Sequence, residues 1–447
     1  MSRKPTATSR VPQSRLGRLA RLGLAAGELA VGGALQGLRR IGGVDTSNAR
    51  FSVATARRLA DRLAHLRGAA MKLGQLISLE SEGLLPPELA EALESLRSQA
   101  AAMPPEQLRR VLGHAYGSGW ERRFEVFDEA PMAAASIGQV HRATTRDGRD
   151  IALKVQYPGV SKSIASDVDN VATLLRLAQL LPLGINVDAI AREAKRQLTQ
   201  EADYIAEARF LEQYSGLVAD EPDVVAPRVH WDYTTARVMA MDYMEGVPLD
   251  SLGQDTPQKV RDALGALLQR LMFRELFEFR VMQTDPNFAN YLYQPATRRL
   301  VLLDFGATQQ FSVGFSERFR QITRAVINGD RGAIRRHAQA IGYIAPDADE
   351  DAIDAALEIM RLVCEPLYAR GIYDYGASDL PRRARALGID LAFKRGLLRM
   401  PPTATMFLHR KLVGVFLLLA RLGARVPTSR IVRPYLEVPG ARQSAMA

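Results

Sequence analysis

Two short stretches carry residues suited to phosphoryl transfer. In Met282-Gln283-Thr284-Asp285-Pro286-Asn287-Phe288-Ala289-Asn290, an aspartate precedes an asparagine by five residues. That step matches the Asp-to-Asn spacing of phosphotransferase catalytic loops. An apolar run, Leu300 to Leu303, then leads into Asp304-Phe305-Gly306. Asn290 and Asp304 are hard oxygen ligands suited to Mg²⁺, which takes few protein groups and leaves its other positions to phosphate and water. Asp285 is suited to orient or deprotonate an attacking hydroxyl or water. Such transfer requires alignment and charge neutralisation more than covalent participation by the protein.

A third stretch, Ile151-Ala152-Leu153-Lys154-Val155, delivers a lysine at the end of an apolar strand. Alone, Lys154 reads as a solvated strand-edge residue. Glu201-Ala202-Asp203-Tyr204 and Glu207 follow on a helical stretch, so a carboxylate can meet it. Each motif alone is weak, since Asp-Phe-Gly and Asp-Pro-Asn are ordinary turn signals. The ordered set Lys154, Glu207, Asp285, Asn290 and Asp304 is not. Ahead of Lys154, a phosphate-covering loop would carry several glycines. Here the stretch is Ala133-Ala134-Ala135-Ser136-Ile137-Gly138. It reads either as a plain strand connection or as an altered nucleotide loop, because alanine blocks positive-φ conformations that glycine allows.

The elements that must position these residues follow from pattern. Phe124 to Phe127, Gly138 to Thr144 and Ile151 to Val155 read as strands, the last two joined by Arg146-Asp147-Gly148-Arg149, a hairpin turn. One long helix is expected from Val187 to Leu217, then a strand pair, Val229 to Tyr233 with Arg237 to Asp242. Pro86-Pro87-Glu88 and Pro104-Pro105-Glu106 read as helix starts, with Pro in the first turn and an acid favourable to the dipole. Leu412 to Ala420 is apolar but too short to span a bilayer, so it reads as a buried helix. The expected division is a basic arm over 1–45, a helical extension over 46–115, a mixed lobe over 116–245, a helical lobe over 246–430, and an irregular tail over 431–447.

The chain has 447 residues, 47% hydrophobic and 24% charged, with a formal charge of +10. That composition predicts a folded protein rather than a disordered one. The single cysteine, Cys364, excludes an intrachain disulfide and any multi-cysteine metal centre. Residues 1–43 hold eight basic side chains against one acid, Glu28, so most of the net charge belongs to this arm. The rest is nearly balanced, and no nucleic-acid-binding body is implied. Leu22 to Leu38 would span about 26 Å as a helix, short of a hydrocarbon core of about 30 Å. Three readings stand: an interfacial membrane helix, a floppy basic arm, or a span. A targeting segment is a further one.

With these motifs in hand, the sequence resembles the UbiB/AarF-like (ADCK-type) atypical kinases over roughly Ser47 to Pro427. Lys72-Leu73-Gly74-Gln75 matches that family's KxGQ motif, and Ala133 to Ser136 its alanine-rich loop. Glu201 and Asp203 match its ExD motif and Glu207 the partner of the strand lysine, and the block Leu302 to Ala307 also fits the family. Thr284-Asp285-Pro286-Asn287 looks like the eukaryote-type branch, since many bacterial relatives carry a His-Pro-Gly-Asn version. The resemblance implies an α+β, protein-kinase-like two-lobe fold with an N-terminal helical KxGQ extension over the substrate side of the cleft. It implies ATP and Mg²⁺ as cofactors, with Lys154 on the α/β-phosphates and Met241 to Met244 as the adenine hinge. Lys72 and Gln75 would face the nucleotide, held by Glu201 and Asp203. The expected role is support of ubiquinone or related isoprenoid-lipid metabolism. Quinone lipids, a membrane surface and quinone-biosynthesis proteins are the expected partners. Peripheral attachment at the cytoplasmic side of a membrane, bacterial or organellar, is the expected location. A non-catalytic ATP-gated scaffold or lipid chaperone, and a small-molecule kinase, are the alternatives. No Ala-Pro-Glu triplet follows Gly306, which disfavours phosphorylation of protein substrates in trans.

Overall fold

The structure, a computed structural model, describes residues 68–69, 72–74, 102–177, 187–253, 255–391 and 403–437. The expectations for the arm, for Gln75 and for the Pro86 helix start lie outside these residues. The chain divides into two compact units, one running to Arg209 and taking in Arg228–Tyr243, the other formed by Phe210–Pro227 and the chain from Met244.

In the first unit, helix α1 (Pro105–Tyr116) begins where expected, with Pro in its first turn and Glu106 beside it. Its apolar stripe, Leu108, Val111 and Leu112, packs on a sheet. That sheet holds β1 (Phe124–Phe127), β2 (Ala133–Ala134), β3 (Gly138–Thr145) and β4 (Asp150–Gln156), and β5 (Val238–Asp242) completes it. All pairings are antiparallel. Side chains alternate along a strand. Ile151, Leu153 and Val155 therefore join the α1-facing core with Trp120, Phe124, Val238 and Ala240. Ala152, Lys154 and Gln156 point to the other face. Helices α2 (Val160–Leu177) and α3 (Val187–Glu201) follow, and then α4 (Tyr204–Leu217), whose residues from Phe210 onward belong to the second unit.

Two expectations are corrected here. The single helix from Val187 to Leu217 is broken at Ala202-Asp203. Asp203 Oδ1 accepts the Ala206 N–H at 2.9 Å, an N-cap that starts α4 anew. The Ala202 carbonyl released by the break accepts from Gln156 Nε2 at 2.9 Å. The strand pair before Asp242 also shrinks. Only Val229 bridges, to Met241, while Trp231–Tyr233 forms a 3₁₀ turn. Tyr233 is drawn into the core against Phe124 and Tyr116, and this packing overrides its strand propensity.

The second unit is mainly helical, with α5 (Gln258–Arg274), α6 (Val313–Asn328), α7 (Arg331–Ile341), α8 (Glu350–Val363), α9 (Leu380–Ile389), α10 (Thr403–Leu422) and α11 (Thr428–Leu436). The buried helix expected over Leu412 to Ala420 lies within α10, where Val415, Leu418 and Leu419 are buried. Among the described residues, no helix is long and apolar enough to cross a membrane. Four short strands matter for the chemistry: β6 (Val281–Gln283), β7 (Tyr291–Gln294), β8 (Arg299–Leu302) and β9 (Thr308–Gln310). β6 pairs with β9, and β7 with β8, so the β6–β7 and β8–β9 connections emerge side by side.

Candidate active site

Lys154 lies at the centre of β4, opposite Val140 and Met239, on the face away from the α1 core. Glu207, in the first turn of α4, is 1% exposed and accepts from Lys154 Nζ through both oxygens, at 2.7 and 2.9 Å. The ring of Tyr204, one helical step earlier, lies 5.4 Å from the ammonium. Sequence reading missed Tyr204, although an aromatic three residues before Glu207 must share its face.

The extension meets the same unit. The described pieces, 68–69 and 72–74, are helical. Lys72 is 2% exposed and its Nζ sits 2.5 Å from Glu201 Oε1. Glu201 is therefore brought to Lys72, whereas Asp203 is exposed and spends its carboxylate on the α4 cap. Gly68 packs so closely on the alanine-rich stretch that a Cβ would lie 2.6 Å from the Ser136 carbonyl oxygen. In that stretch Ala133 and Ala134 pair with Val140 and Gln139 as β2, an unexpected strand. Ala135 N–H then bonds the Gly138 carbonyl at 2.9 Å. Gly138 is the one glycine the stretch needs, because a Cβ there would lie 2.4 Å from the Val155 oxygen. Met241 is buried in β5 opposite Ala152. Met244 begins the second unit's second segment and is partly exposed.

In the second unit, the loop from Thr284 to Asn290 and the turn from Leu303 to Ala307 are fastened at both ends. Thr284 N–H donates to the Ala307 carbonyl at 3.2 Å, and Leu303 N–H to the Asn290 carbonyl at 3.0 Å. Asp285, Asn290 and Asp304 are thus gathered at one place. Asp304 Oδ1 accepts the Gly306 N–H at 3.0 Å, which fixes its rotamer. Asn290 Nδ2 donates to the Asp285 carbonyl at 3.1 Å and to its Oδ2 at 3.3 Å. Using the amide nitrogen there leaves Asn290 Oδ1 the atom suited to a cation. Phe305 is fully buried against Tyr214, ring centroids 4.9 Å apart.

Behind the loop lies a polar network that sequence reading did not find. Helix α5 ends in a π-helical turn, Glu275–Phe279, which sets Glu275 inward with no exposure. Its Oε1 accepts from Tyr214 OH at 2.8 Å and Gln283 N–H at 3.2 Å, and Lys411 Nζ is 2.9 Å from Oε2. Gln283 Nε2 carries the network onward to the Asp285 carbonyl, at 2.7 Å. Burial pushes the Glu275 carboxyl above its ordinary range, with the Lys411 charge opposing. Lys411 is held above its own ordinary value by Glu275 despite its burial. Arg410, also unforeseen, pairs with Asp285 Oδ1. The signal for Lys411 was present: a lysine bordering the apolar run from Leu412 is in position to be buried with a partner.

The donors fit Mg²⁺ bound together with phosphates. Among the described residues, no cluster of three or more His, Cys, Asp or Glu could hold an ion unaided. Two oxygen donors on fastened loops suit an ion whose remaining positions are filled by phosphate and water.

A profile described as the ABC1 atypical kinase-like domain matches residues 95–338. The rat protein "Atypical kinase COQ8B, mitochondrial" is 38% identical over 93% of this chain and 79% of its own length. The Saccharomyces cerevisiae protein "Atypical kinase COQ8, mitochondrial" is 35% identical, covering 95% of this chain and 85% of its own. Among solved structures, the complex of Rv3197 with erythromycin from Mycobacterium tuberculosis aligns with a TM-score of 0.60 at 25% identity, over 86% of this chain and 97% of that one. The α+β architecture is accordingly protein-kinase-like, and the chain belongs to the ABC1 atypical kinase family, the UbiB/AarF-type group that includes the COQ8 proteins.

Proposed function

We propose that the chain binds Mg-ATP and acts as an atypical kinase or ATPase supporting ubiquinone or related isoprenoid-lipid metabolism. The observation that carries this reading is the fastening of the Asp285–Asn290 loop to the Asp304 turn, which gathers one orienting carboxylate and two cation-binding oxygens. Lys154, held by Glu207, supplies a fixed positive charge for the α/β-phosphates. Asn290 and Asp304 hold the metal, which neutralises phosphate charge when bound. Asp285 orients the attacking oxygen. Lys72, paired with Glu201, faces the nucleotide with Gln75 and limits access to the γ-phosphate, Asp203 sets the start of α4, and the Ala133–Ser136 stretch and Met241–Met244 border the nucleotide. The short interval Ala307–Ser312 before α6 leaves little chain to seat a peptide, which favours a small or lipid acceptor over a protein.

The test is Mg-ATP binding by wild type and Asp304→Asn. Removing one negative ligand should weaken metal–nucleotide affinity about tenfold or more, roughly 1.4 kcal/mol. Equal thermal shifts in the two proteins reject the assignment. Phosphate release with and without lipid separates turnover from an ATP-gated scaffold.

The basic arm is proposed as the attachment to a membrane surface. Arg15, Arg18, Arg21, Arg39 and Arg40 flank Leu22 to Leu38, and each contributes about 1 kcal/mol at an anionic surface. The full chain should sediment with anionic liposomes at low salt and be released at high salt. A chain lacking residues 1–43 should stay in the supernatant, and equal sedimentation of both removes the arm from this role.

A further inference from the structure

We propose that Arg410 is a positioning residue for Asp285, and that one face of α10 is the strut on which the Asp285–Asn290 loop is held. The inference deepens the proposed function and rests on Asp285 orienting the attacking oxygen. Three positions on α10 meet successive parts of the loop. Arg410 Nη2 bonds Asp285 Oδ1, with only 10% of the arginine and 21% of the aspartate side chain exposed. Gly414 lies so close to the loop that a Cβ would fall 1.8 Å from Pro286 Cγ, a contact no other residue allows. The Arg421 guanidinium sits 4.8 Å above the Phe288 ring. Steps of four and seven put these positions on one helix face. Lys411, the next residue after Arg410, anchors the same helix to Glu275 and to Gln283, whose side chain reaches the Asp285 carbonyl.

Asp285 is therefore held at all three of its oxygens. Its Oδ1 takes Arg410, its Oδ2 takes Asn290, and its carbonyl takes Asn290 and Gln283. With the Arg410 guanidinium on Oδ1 and the Asn290 amide on Oδ2, each carboxylate oxygen has its own donor and the carboxylate orientation is fixed. A carboxylate so held presents a fixed acceptor for the hydrogen of an attacking hydroxyl or water, which lowers the cost of alignment in the reaction. Buried ion pairs contribute little net stability against apolar substitutes. A pair set on the loop aspartate itself is thus better accounted for by geometry than by folding.

The experiment compares full-length wild type, Arg410→Ala and Arg410→Lys. Three quantities are read: Mg-ATP affinity by calorimetry, kcat and KM for phosphate release, and hydrogen exchange of the peptide spanning residues 284–291. For Arg410→Ala, kcat should fall roughly 100-fold, the size of a misplacement effect, while affinity and KM stay within about threefold. Exchange should rise in the loop peptide and stay unchanged across β3 and β4. Arg410→Lys should recover part of kcat, because the charge returns on a shorter, more flexible and non-planar donor. A kcat that is unchanged overturns the proposal, and one that rises overturns it by identifying the pair as a brake. Affinity and kcat falling together with raised exchange throughout the second unit also overturns it, in favour of a purely structural role. If wild type binds Mg-ATP but releases no phosphate, turnover fails as a reading of the protein. Loop exchange then still decides, since an unaltered 284–291 peptide in Arg410→Ala excludes Arg410 as the element holding the loop.

Discussion

Replacing Lys411 by Met should lower the unfolding free energy of the second unit by about 3–5 kcal/mol. Glu275 has no exposed surface, and Lys411 Nζ lies 2.9 Å from its carboxylate. Removing the ammonium leaves a buried charge without its counterion. The double variant Lys411→Met/Glu275→Gln should be closer to wild type than the single one. The amide that replaces the carboxylate can still accept from Tyr214 and Gln283, and it carries no charge. pH supplies a second check. Burial already raises the Glu275 carboxyl in the folded protein, and loss of Lys411 raises it further. The folded state of the variant then binds a proton that the unfolded state releases. Its stability should be best below the unfolded carboxyl value and fall as pH rises toward the folded one. The cost of Lys411→Met is therefore smaller at mildly acidic pH than well above the folded carboxyl value, relative to wild type under the same conditions. Calorimetric unfolding of the three proteins reads this. A single variant no less stable than the double would show that the pair carries no such coupling.

Where pattern acts locally, the sequence anticipates the structure closely. The Asp-Gly turn, the alternation in β4 and the Pro-Pro-Glu start of α1 are decided by a few adjacent residues. The meeting of Lys154 and Glu207 is legible because a period-two strand leaves Lys154 on one defined face, and a helix nearby offers an acid. What escapes is set by distant chain. The Ala202–Asp203 break depends on Gln156 reaching the freed carbonyl of Ala202, and an aspartate within a helical pattern does not announce that. Tyr233 leaves its expected strand for an aromatic cluster assembled from α1 and β1. Arg410 pairs with Asp285 across 125 residues, and local periodicity carries no record of such a contact. The expected buried helix begins at Leu412, one residue after Lys411, because an apolar-run criterion stops at the first charge. That criterion discards the residues most informative about chemistry, since a charge buried beside an apolar run must have a partner.

Lys154→Met and Glu207→Gln break the same pair, yet they should respond differently to nucleotide. Lys154→Met leaves Glu207, 1% exposed, as a buried carboxylate without its cation. Glu207→Gln leaves Lys154 charged beside the Tyr204 ring, with 10% of its side chain exposed. Without ligand, both should be destabilised, Lys154→Met the more, by about 3 kcal/mol or above. Anionic phosphates can add a counterion beside Lys154 in Glu207→Gln and can do nothing for Lys154→Met. Ligand that binds only the folded state stabilises it in proportion to ln(1 + [L]/Kd). Mg-ATP should thus recover much of the loss in Glu207→Gln and almost none in Lys154→Met, whose affinity should fall about tenfold or more. Both tryptophans, Trp120 and Trp231, lie in the first unit with this pair, so their fluorescence follows its unfolding. Trp120 is buried in the α1 core and reports directly on that packing. Equal recovery of the two variants by Mg-ATP would mean that Lys154 does not contact phosphate. The pair would then serve only to fasten α4 to β4, and the phosphate-binding charge would have to be sought elsewhere in the chain.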